Sequence, residues 1–336
     1  MRDLITGGAG FIGSHLADRL VQRGREVVLL DDLSTGRVEN VEHLIRAGTA
    51  ELVEGSTSDE ALVYELMADS ERCFHLASAV GVALICERPL ESLLRNVRGA
   101  DVVSWAAARS GVRLIFASSS EVYGKNSNGA LREESDRLLG PPQRSRWGYA
   151  TAKAFGEMLA YGYQRERGAE TVVVRFFNTV GPRQTGAYGM VLPRFCRQAL
   201  LGEELTVYGD GLQSRCFSHV HDTVDAVARL GEEDRALGGV YNVGAEREIT
   251  ILELAERVVE RAESTSPIRF VPYEEAYEDG FEELGRRKPD TSALRELTAW
   301  APTRSIETMI DDVLAYQRAE LRRAVRPAAS VAPLAA

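Results

Sequence analysis

The chain of 336 residues is 44% hydrophobic and 27% charged, the balance of a globular protein long enough to bury a large core. Its formal net charge of −10 argues against a nucleic-acid partner, because no basic field is present to neutralise a track of phosphates. A small phosphorylated ligand remains compatible with that charge, since it needs only a few local arginines.

Taken in chain order, the first half alternates strand and helix. Short apolar runs at residues 3–6, 27–30, 73–76 and 113–117 have the character of buried parallel strands, and helical stretches lie between them at 12–22 and 90–108. The alternation continues through a helix at 148–166 and the strand Thr171-Val172-Val173-Val174-Arg175. It predicts an α/β fold: a Rossmann-like, doubly wound parallel sheet. Beyond residue 178 the pattern loosens into short strands, loops and helices at 250–262 and 304–320, expected to form a smaller α/β C-terminal substrate domain. The expected division is residues 1–177 for the dinucleotide-binding domain, with parts of 215–245 returning to it, and 178–322 for the discontinuous substrate domain. The tail, 323–336, lacks periodicity and is expected to be disordered. Cys73, Cys86, Cys196 and Cys216 stand singly, as reduced core thiols of a cytoplasmic protein do. Strand character begins at Leu4, which leaves no room for a signal peptide, and no apolar run approaches membrane-spanning length, so no membrane partner is expected.

Two motifs carry chemistry. Thr6-Gly7-Gly8-Ala9-Gly10-Phe11-Ile12-Gly13 follows the first strand and opens the first helix. Glycines there let the backbone turn tightly against a pyrophosphate, and the helix N-terminus offers unpaired N–H groups. The second strand ends in Asp31, at the spacing where a carboxylate bonds the adenosine ribose and repels a 2′-phosphate, so NAD is favoured over NADP. The second motif is Tyr149-Ala150-Thr151-Ala152-Lys153, which sets a phenol and an ammonium on one helix face. A nearby lysine and a cationic nicotinamide both favour the phenolate, which makes the tyrosine a general base. Hydroxyls at the strand end Ala117-Ser118-Ser119-Ser120 are placed to bond the same substrate oxygen.

With Asn178 in Phe177-Asn178-Thr179-Val180-Gly181-Pro182-Arg183, these motifs resemble the extended short-chain dehydrogenases over almost the whole chain to about residue 320. The resemblance implies oxidation at C4 of a nucleotide-linked hexose by tightly bound NAD. The 4-ketone so formed enables epimerisation, dehydration or decarboxylation. One departure is Ser56 after Val53-Glu54-Gly55, where family members often carry an aspartate that meets the adenine.

Ser119-Ser120-Glu121-Val122-Tyr123-Gly124 looks like the UDP-glucuronic acid decarboxylases, as do Arg146-Trp147 and Arg287-Lys288-Pro289. Dehydratases carry Asp-Glu where Ser120-Glu121 stands. The resemblance therefore implies decarboxylation of UDP-glucuronic acid, giving UDP-xylose or its 4-keto form. A 4-epimerase of UDP-glucose or UDP-glucuronate is the alternative, and a non-catalytic NAD-binding protein a more distant one. Within the decarboxylase reading Arg287 binds the carboxylate and Glu121 either repels it or relays a proton to C5; within the epimerase reading Arg287 binds diphosphate. The expected catalytic set is Tyr149, Lys153, Ser119, Ser120, Glu121 and Arg287, and Gly7, Gly10, Phe11, Ile12, Gly13, Asp31 and Lys153 are expected on the cofactor. Asn178, Arg183, Tyr208, Arg215 and Arg287 are expected on the UDP-sugar, with Tyr208 resembling the uracil-lining segment and Arg215 the diphosphate ligand. His219-Val220-His221, two residues apart on an expected strand, should point its rings to opposite faces, so no metal site is expected. Leu90, Leu93, Leu94 and Val97 on one helix, and Ala154, Phe155, Met158 and Leu159 on another, form apolar faces of the kind the family pairs in a homodimer.

Overall fold

Seven parallel strands form the central sheet of the computed structural model, which describes residues 1–79, 88–186, 190–276 and 286–325. Their spatial order is Val240–Val243, Thr171–Phe176, Arg113–Ser119, Arg72–His75, Arg2–Thr6, Glu26–Asp31 and Ala50–Glu54. The apolar residues of the central strands are fully buried, Leu4, Ile5, Leu29, Leu30, Phe74 and Leu114 among them, because helices cover both faces. Helices Phe11–Gln22 and Val220–Glu232 pack on one face, and Glu60–Ala68, Pro89–Ser110 and Arg146–Arg167 on the other. Pro89 opens its helix and Gly111 closes it at φ 66°; Gly168 closes the helix carrying Tyr149 at φ 69°.

Strand order reverses at Arg2–Thr6, whose two neighbours are Glu26–Asp31 and Arg72–His75. The crevice at the strands' carboxyl ends therefore opens there, which is where such sheets take ligands. Thr6, Asp31, His75 and Ser119 all end strands at this edge. Beyond the sheet, short strands and the helices Val191–Leu201, Ile251–Ala262 and Ile306–Val325 enclose a second apolar core around Phe195, Leu254 and Ile310.

A buried polar network ties the helix of Tyr149 to the sheet beneath it. Arg175 grips Glu157 with two hydrogen bonds, Nε to Oε1 at 2.8 Å and Nη2 to Oε2 at 2.7 Å. Ser118 donates to the same carboxylate, and Arg175 also donates to Tyr123 Oη at 2.9 Å. Tyr123 donates in turn to Asn242 at 2.7 Å. Three strands and the helix are thus held by one paired charge with its lone pairs satisfied, the condition under which a buried ion pair is tolerable.

The histidine pair departs from expectation. The strand ends at His219 and a helix begins at Val220, so strand alternation does not apply. His219 Nδ1 accepts from the backbone N–H of His221 at 3.1 Å, and the two rings stack with centroids 5.1 Å apart on one side of the chain. Burial pushes His219 down to about 4, and Nε2 meets Asp312 at 3.1 Å. Among the described residues no group of three or more His, Cys, Asp or Glu is arranged to hold a metal. Cys73, Cys196 and Cys216 are free and buried; Cys86 and the tail beyond residue 325 lie outside the described residues.

Because Glu157 is the partner of a buried guanidinium, Glu157→Ala should lower unfolding free energy by about 3–5 kcal/mol. Urea denaturation checks this; a loss below about 1 kcal/mol would mean that water screens the pair.

Candidate active site

One cleft of about 1330 Å³ runs from the glycine turn to the second core. It exceeds the roughly 300–1,000 Å³ typical of a site for one small ligand, so it has room for a dinucleotide and a second nucleotide together.

At the dinucleotide end, Gly7 adopts φ +71° and its backbone passes so close to the neighbouring strand end that a Cβ would lie 2.8 Å from Ala77 N. A Cβ on Gly13 would lie 2.1 Å from Gly7 O, so the first helix turn can nest against the loop only without side chains. Gly10 caps that helix with no side-chain hydrogen bond, leaving its first N–H groups directed at the cleft. Asp31 lines the cleft and is held by backbone N–H groups of Ala9 and Leu33, both at 2.9 Å. Burial raises its carboxyl, against the lowering by those N–H bonds. Phe11, Ile12 and Ser56 also line this end. The donor set suits a dinucleotide: free N–H groups for pyrophosphate and an oriented carboxylate for ribose hydroxyls.

At the other end Tyr149 is buried, and its hydroxyl shares hydrogen bonds with Ser119 and Ser78. Burial first, then the negative charge of Glu121, push the phenol well above its ordinary range; the two serines act the other way. Lys153 lies beside the phenol, as the four-residue spacing expects. Its Nζ donates to Ala117 O at 2.8 Å and stands 5.8 Å from the Tyr149 ring centre. Burial lowers it to about 8, and only Glu157, one turn further on, pushes back. In this site the lysine is short of negative partners, and the phenol is short of positive ones.

Ser119 ends its strand and accepts from the backbone N–H of Glu121 at 3.2 Å, which starts the tight turn Ser120–Tyr123. That turn carries Glu121 beneath Tyr149. Arg287 Nη1 bonds Glu121 Oε1 and lies 3.4 Å from Ser120 Oγ, while Arg146 Nη2 stands 3.6 Å from Glu121 Oε2. Withdrawal from water would raise Glu121, but Arg287, Arg146 and Arg215 outweigh it and hold the carboxyl below its usual range. Arg215 lines the same cleft and donates to Ser214 O at 2.8 Å. Asn178 lines it too, its Nδ2 bonding Cys216 O at 3.2 Å. Tyr208, half-buried, faces the cleft with the Arg194 guanidinium 4.3 Å above its ring. Arg183 lines the cleft as well; at φ 65° its side chain also reaches Asp18 of the first helix, Nη1 to Oδ2 at 2.8 Å.

Ser78 was not expected here. It lies three residues past the strand Arg72–His75, and Asn96 anchors it, accepting from Ser78 Oγ at 2.9 Å and Ala79 N at 2.8 Å. Its place at the same sheet edge as Ser119 is the signal that points to it. Arg146 enters by its pairing with Glu121, which spacing alone does not show.

The arrangement joins a dinucleotide crevice to a phenol, a lysine and serines, which is the equipment of a nucleotide-dependent sugar oxidoreductase. The chain belongs to the NAD dependent epimerase/dehydratase family, whose model matches residues 4–244. It is 40% identical over 318 residues to the UDP-N-acetyl-alpha-D-glucosaminuronate decarboxylase of Bacillus cytotoxicus, covering 94% of this chain and 98% of that one. It is 36% identical to UDP-glucuronic acid decarboxylase 1 of Danio rerio, over 95% of this chain and 73% of that one. Among solved structures it resembles UDP-glucose 4-epimerase of Thermotoga maritima, with a TM-score of 0.86, 29% identity, and coverage of 96% and 100%.

The depressed lysine gives a stability test. Lys153 is lower in the folded chain than in the unfolded one, so burying its charge destabilises the fold fully below about pH 8, and the penalty fades as pH rises toward 10.5. Lys153→Met, without cofactor, should therefore gain on the order of 1–3 kcal/mol at neutral pH, a gain that shrinks through that window. Paired melting curves across pH measure it; a gain independent of pH would contradict the assignment.

Proposed function

We propose that the protein is an NAD-dependent UDP-glucuronate decarboxylase, converting UDP-glucuronic acid through a 4-keto intermediate to UDP-xylose or UDP-4-keto-xylose. The observation that carries this reading is Glu121, held between Arg287 and Arg146, two residues after Ser119 and near enough to Tyr149 for its charge to act on the phenol. The decarboxylases among the relatives, those of Bacillus cytotoxicus and Danio rerio included, support it.

NAD, when bound, supplies the acceptor for the C4 hydride and the source of its return. Gly7, Gly10, Phe11, Ile12 and Gly13 would hold the pyrophosphate side, and Asp31 the adenosine ribose. Tyr149 takes the C4 hydroxyl proton, with Ser119 bonded to the same oxygen. Lys153 adds positive charge beside the phenol and holds the nicotinamide end. The C5–C6 bond then breaks: its electrons pass into the C5–C4–O system as an enolate, and carbon dioxide leaves. Tyr149 and Ser119 donate to the enolate oxygen as its charge develops. A proton from solvent water in the cleft then adds to C5, and the 4-ketone re-forms. Arg287 receives the substrate carboxylate, Ser120 bonds Arg287, and Glu121 supplies the negative charge that disfavours a bound carboxylate over neutral carbon dioxide. Arg215 and Asn178 lie along the diphosphate and Tyr208 at the base. Arg183 lines the same cleft, steadied by Asp18, and would face the substrate. The single buried thiols suit a reducing compartment, and we assign the protein to the cytoplasm.

Wild-type protein with bound NAD should release carbon dioxide from UDP-glucuronate. The 2-acetamido uronate is the second substrate to assay, given the Bacillus cytotoxicus relative. Product mass and nuclear magnetic resonance decide; a C4 epimer without carbon dioxide would establish the epimerase reading instead. Tyr149→Phe should reduce turnover by roughly 10²–10⁴-fold while leaving NAD bound. Glu121→Gln should still reduce NAD with UDP-glucuronate, so that NADH absorbance accumulates while carbon dioxide release falls; unchanged release would remove Glu121 from the bond-breaking step.

We further propose a homodimer through the helices Pro89–Ser110 and Arg146–Arg167. Leu90, Leu94, Phe155 and Met158 are 67%, 58%, 41% and 62% exposed on this face, an apolar patch that a second copy would cover. Light scattering should give twice the chain mass, and Met158→Glu should shift it toward the monomer. A wild-type monomer at micromolar concentration would contradict this.

A further inference from the structure

We propose that Ser78 is the hydroxyl that bonds the Tyr149 phenolate: it turns its O–H from Asn96 to Tyr149 Oη when the phenol ionises, which leaves the Ser119 hydroxyl for the C4 oxygen of the sugar. The inference rests on the reading of Tyr149 as the base for C4 oxidation, and not on the choice between decarboxylation and epimerisation.

Sheet register brings the two serines together. The strands Arg72–His75 and Arg113–Ser119 run parallel with His75 opposite Phe116, so Ser78 and Ser119, each three residues further along, stand at matching positions past the sheet edge. Both line the cleft, and both bond the Tyr149 hydroxyl. Their other partners differ. Ser119 Oγ accepts from the backbone N–H of Glu121 at 3.2 Å, which leaves its one hydrogen to give. Ser78 Oγ donates to Oδ1 of the buried Asn96 at 2.9 Å. Asn96 Nδ2 donates to Ala79 O at 3.0 Å, which fixes the orientation of the amide and keeps Oδ1 toward Ser78.

A hydroxyl has a single hydrogen. During C4 oxidation that of Ser119 is engaged by the substrate oxygen, so the phenolate needs another donor. Lys153 is turned to Ala117 O, with Nζ 5.8 Å from the centre of the phenol ring. Ser78 can serve, because Asn96 Oδ1 also accepts from Ala79 N at 2.8 Å and keeps that bond when the serine hydrogen leaves. No buried acceptor is then orphaned by the switch. The proton of the phenol itself passes to water in the cleft. Burial and Glu121 oppose this ionisation, and the hydrogen bond from Ser78 works the other way.

The test follows the first hydride transfer against pH. NAD-loaded wild type, Ser78→Ala and Ser78→Thr are mixed with UDP-glucuronate, and separately with UDP-glucose, and NADH absorbance is recorded through a single turnover. Ser78→Ala should slow NADH formation by about 10- to 100-fold near pH 7, the range for losing one hydrogen bond to a charged group. The deficit should shrink as pH rises, because the phenol of the variant ionises about one to two units higher and alkali restores the base. Ser78→Thr keeps the hydroxyl and should stay within about threefold of wild type. Ultraviolet difference titration of each NAD-loaded protein against its Tyr149→Phe counterpart reads the same shift without turnover. There the phenolate of Ser78→Ala should appear at higher pH than that of wild type. An unchanged rate, a deficit equal at every pH, or a phenolate that appears at the same pH in both proteins would overturn the inference and leave Ser78 a structural partner of Asn96. A wild type that forms no NADH with either sugar would sink the oxidation reading instead, and the titration would still decide the role of Ser78.

Discussion

A single carboxylate set among guanidinium groups governs this site. Glu121 sits where water is scarce and where its own charge works against the neighbouring phenol, since it helps push Tyr149 up. Left alone in such a place it would take a proton. Arg287 and Arg146 keep it charged, and they come from parts of the chain that meet only because the fold closes: a short strand after residue 285 and the first turn of the Tyr149 helix. The turn Ser120–Tyr123, the buried Trp147 and the strand pairing of Arg287 with Arg215 all serve to hold that cluster in register. A site built only to move a hydride has no need of it.

Behind the cluster, the sheet and the Glu157–Arg175 pair fix the oxidising half. Lys153 sits between Ala117 O and the weak pull of Glu157, and Tyr149 between Ser78 and Ser119. Both are held in the less reactive protonation balance that burial imposes on each. A bound cationic ring and a ribose hydroxyl would change that balance, so the chain's own residues arrange the acid–base pair and the cofactor brings it into play. At Gly7 the left-handed backbone allows the close approach that a cofactor turn needs.

Five of the seven strands were legible because buried parallel strands announce themselves as unbroken apolar runs, and each of those was found within two residues of its observed ends. The two edge strands were not read: Ala50–Glu54 is only half-buried and Val240–Val243 is interrupted by Asn242, so neither carries such a run. The glycine turn, Asp31, Ser119, Tyr149 and Lys153 were legible for a related reason: each occupies a fixed offset from a strand or helix end, and offsets survive in sequence. What escaped depends on contacts between distant segments. Ser78 reaches Tyr149 only through Asn96, 18 residues away. Arg183, expected among the substrate residues, lines the cleft, but its ion pair with Asp18, 165 residues away, could not be read from the motif. His219 and His221 stack because a helix starts between them, a boundary that a two-residue spacing cannot reveal. The spacing of Lys153 and Tyr149 was legible, but the burial that dominates both side chains was not, because it comes from packing against distant segments.

The most direct measurement is the ionisation of Glu121 itself. Infrared difference titration of wild type minus Glu121→Gln isolates that one carboxyl. The arginine cluster requires its carboxylate band to persist as pH falls below the ordinary glutamate value of about 4.3. A carboxylic-acid band at neutral pH would show that the glutamate is neutral in the folded protein, and the charge-based account of this site would be wrong.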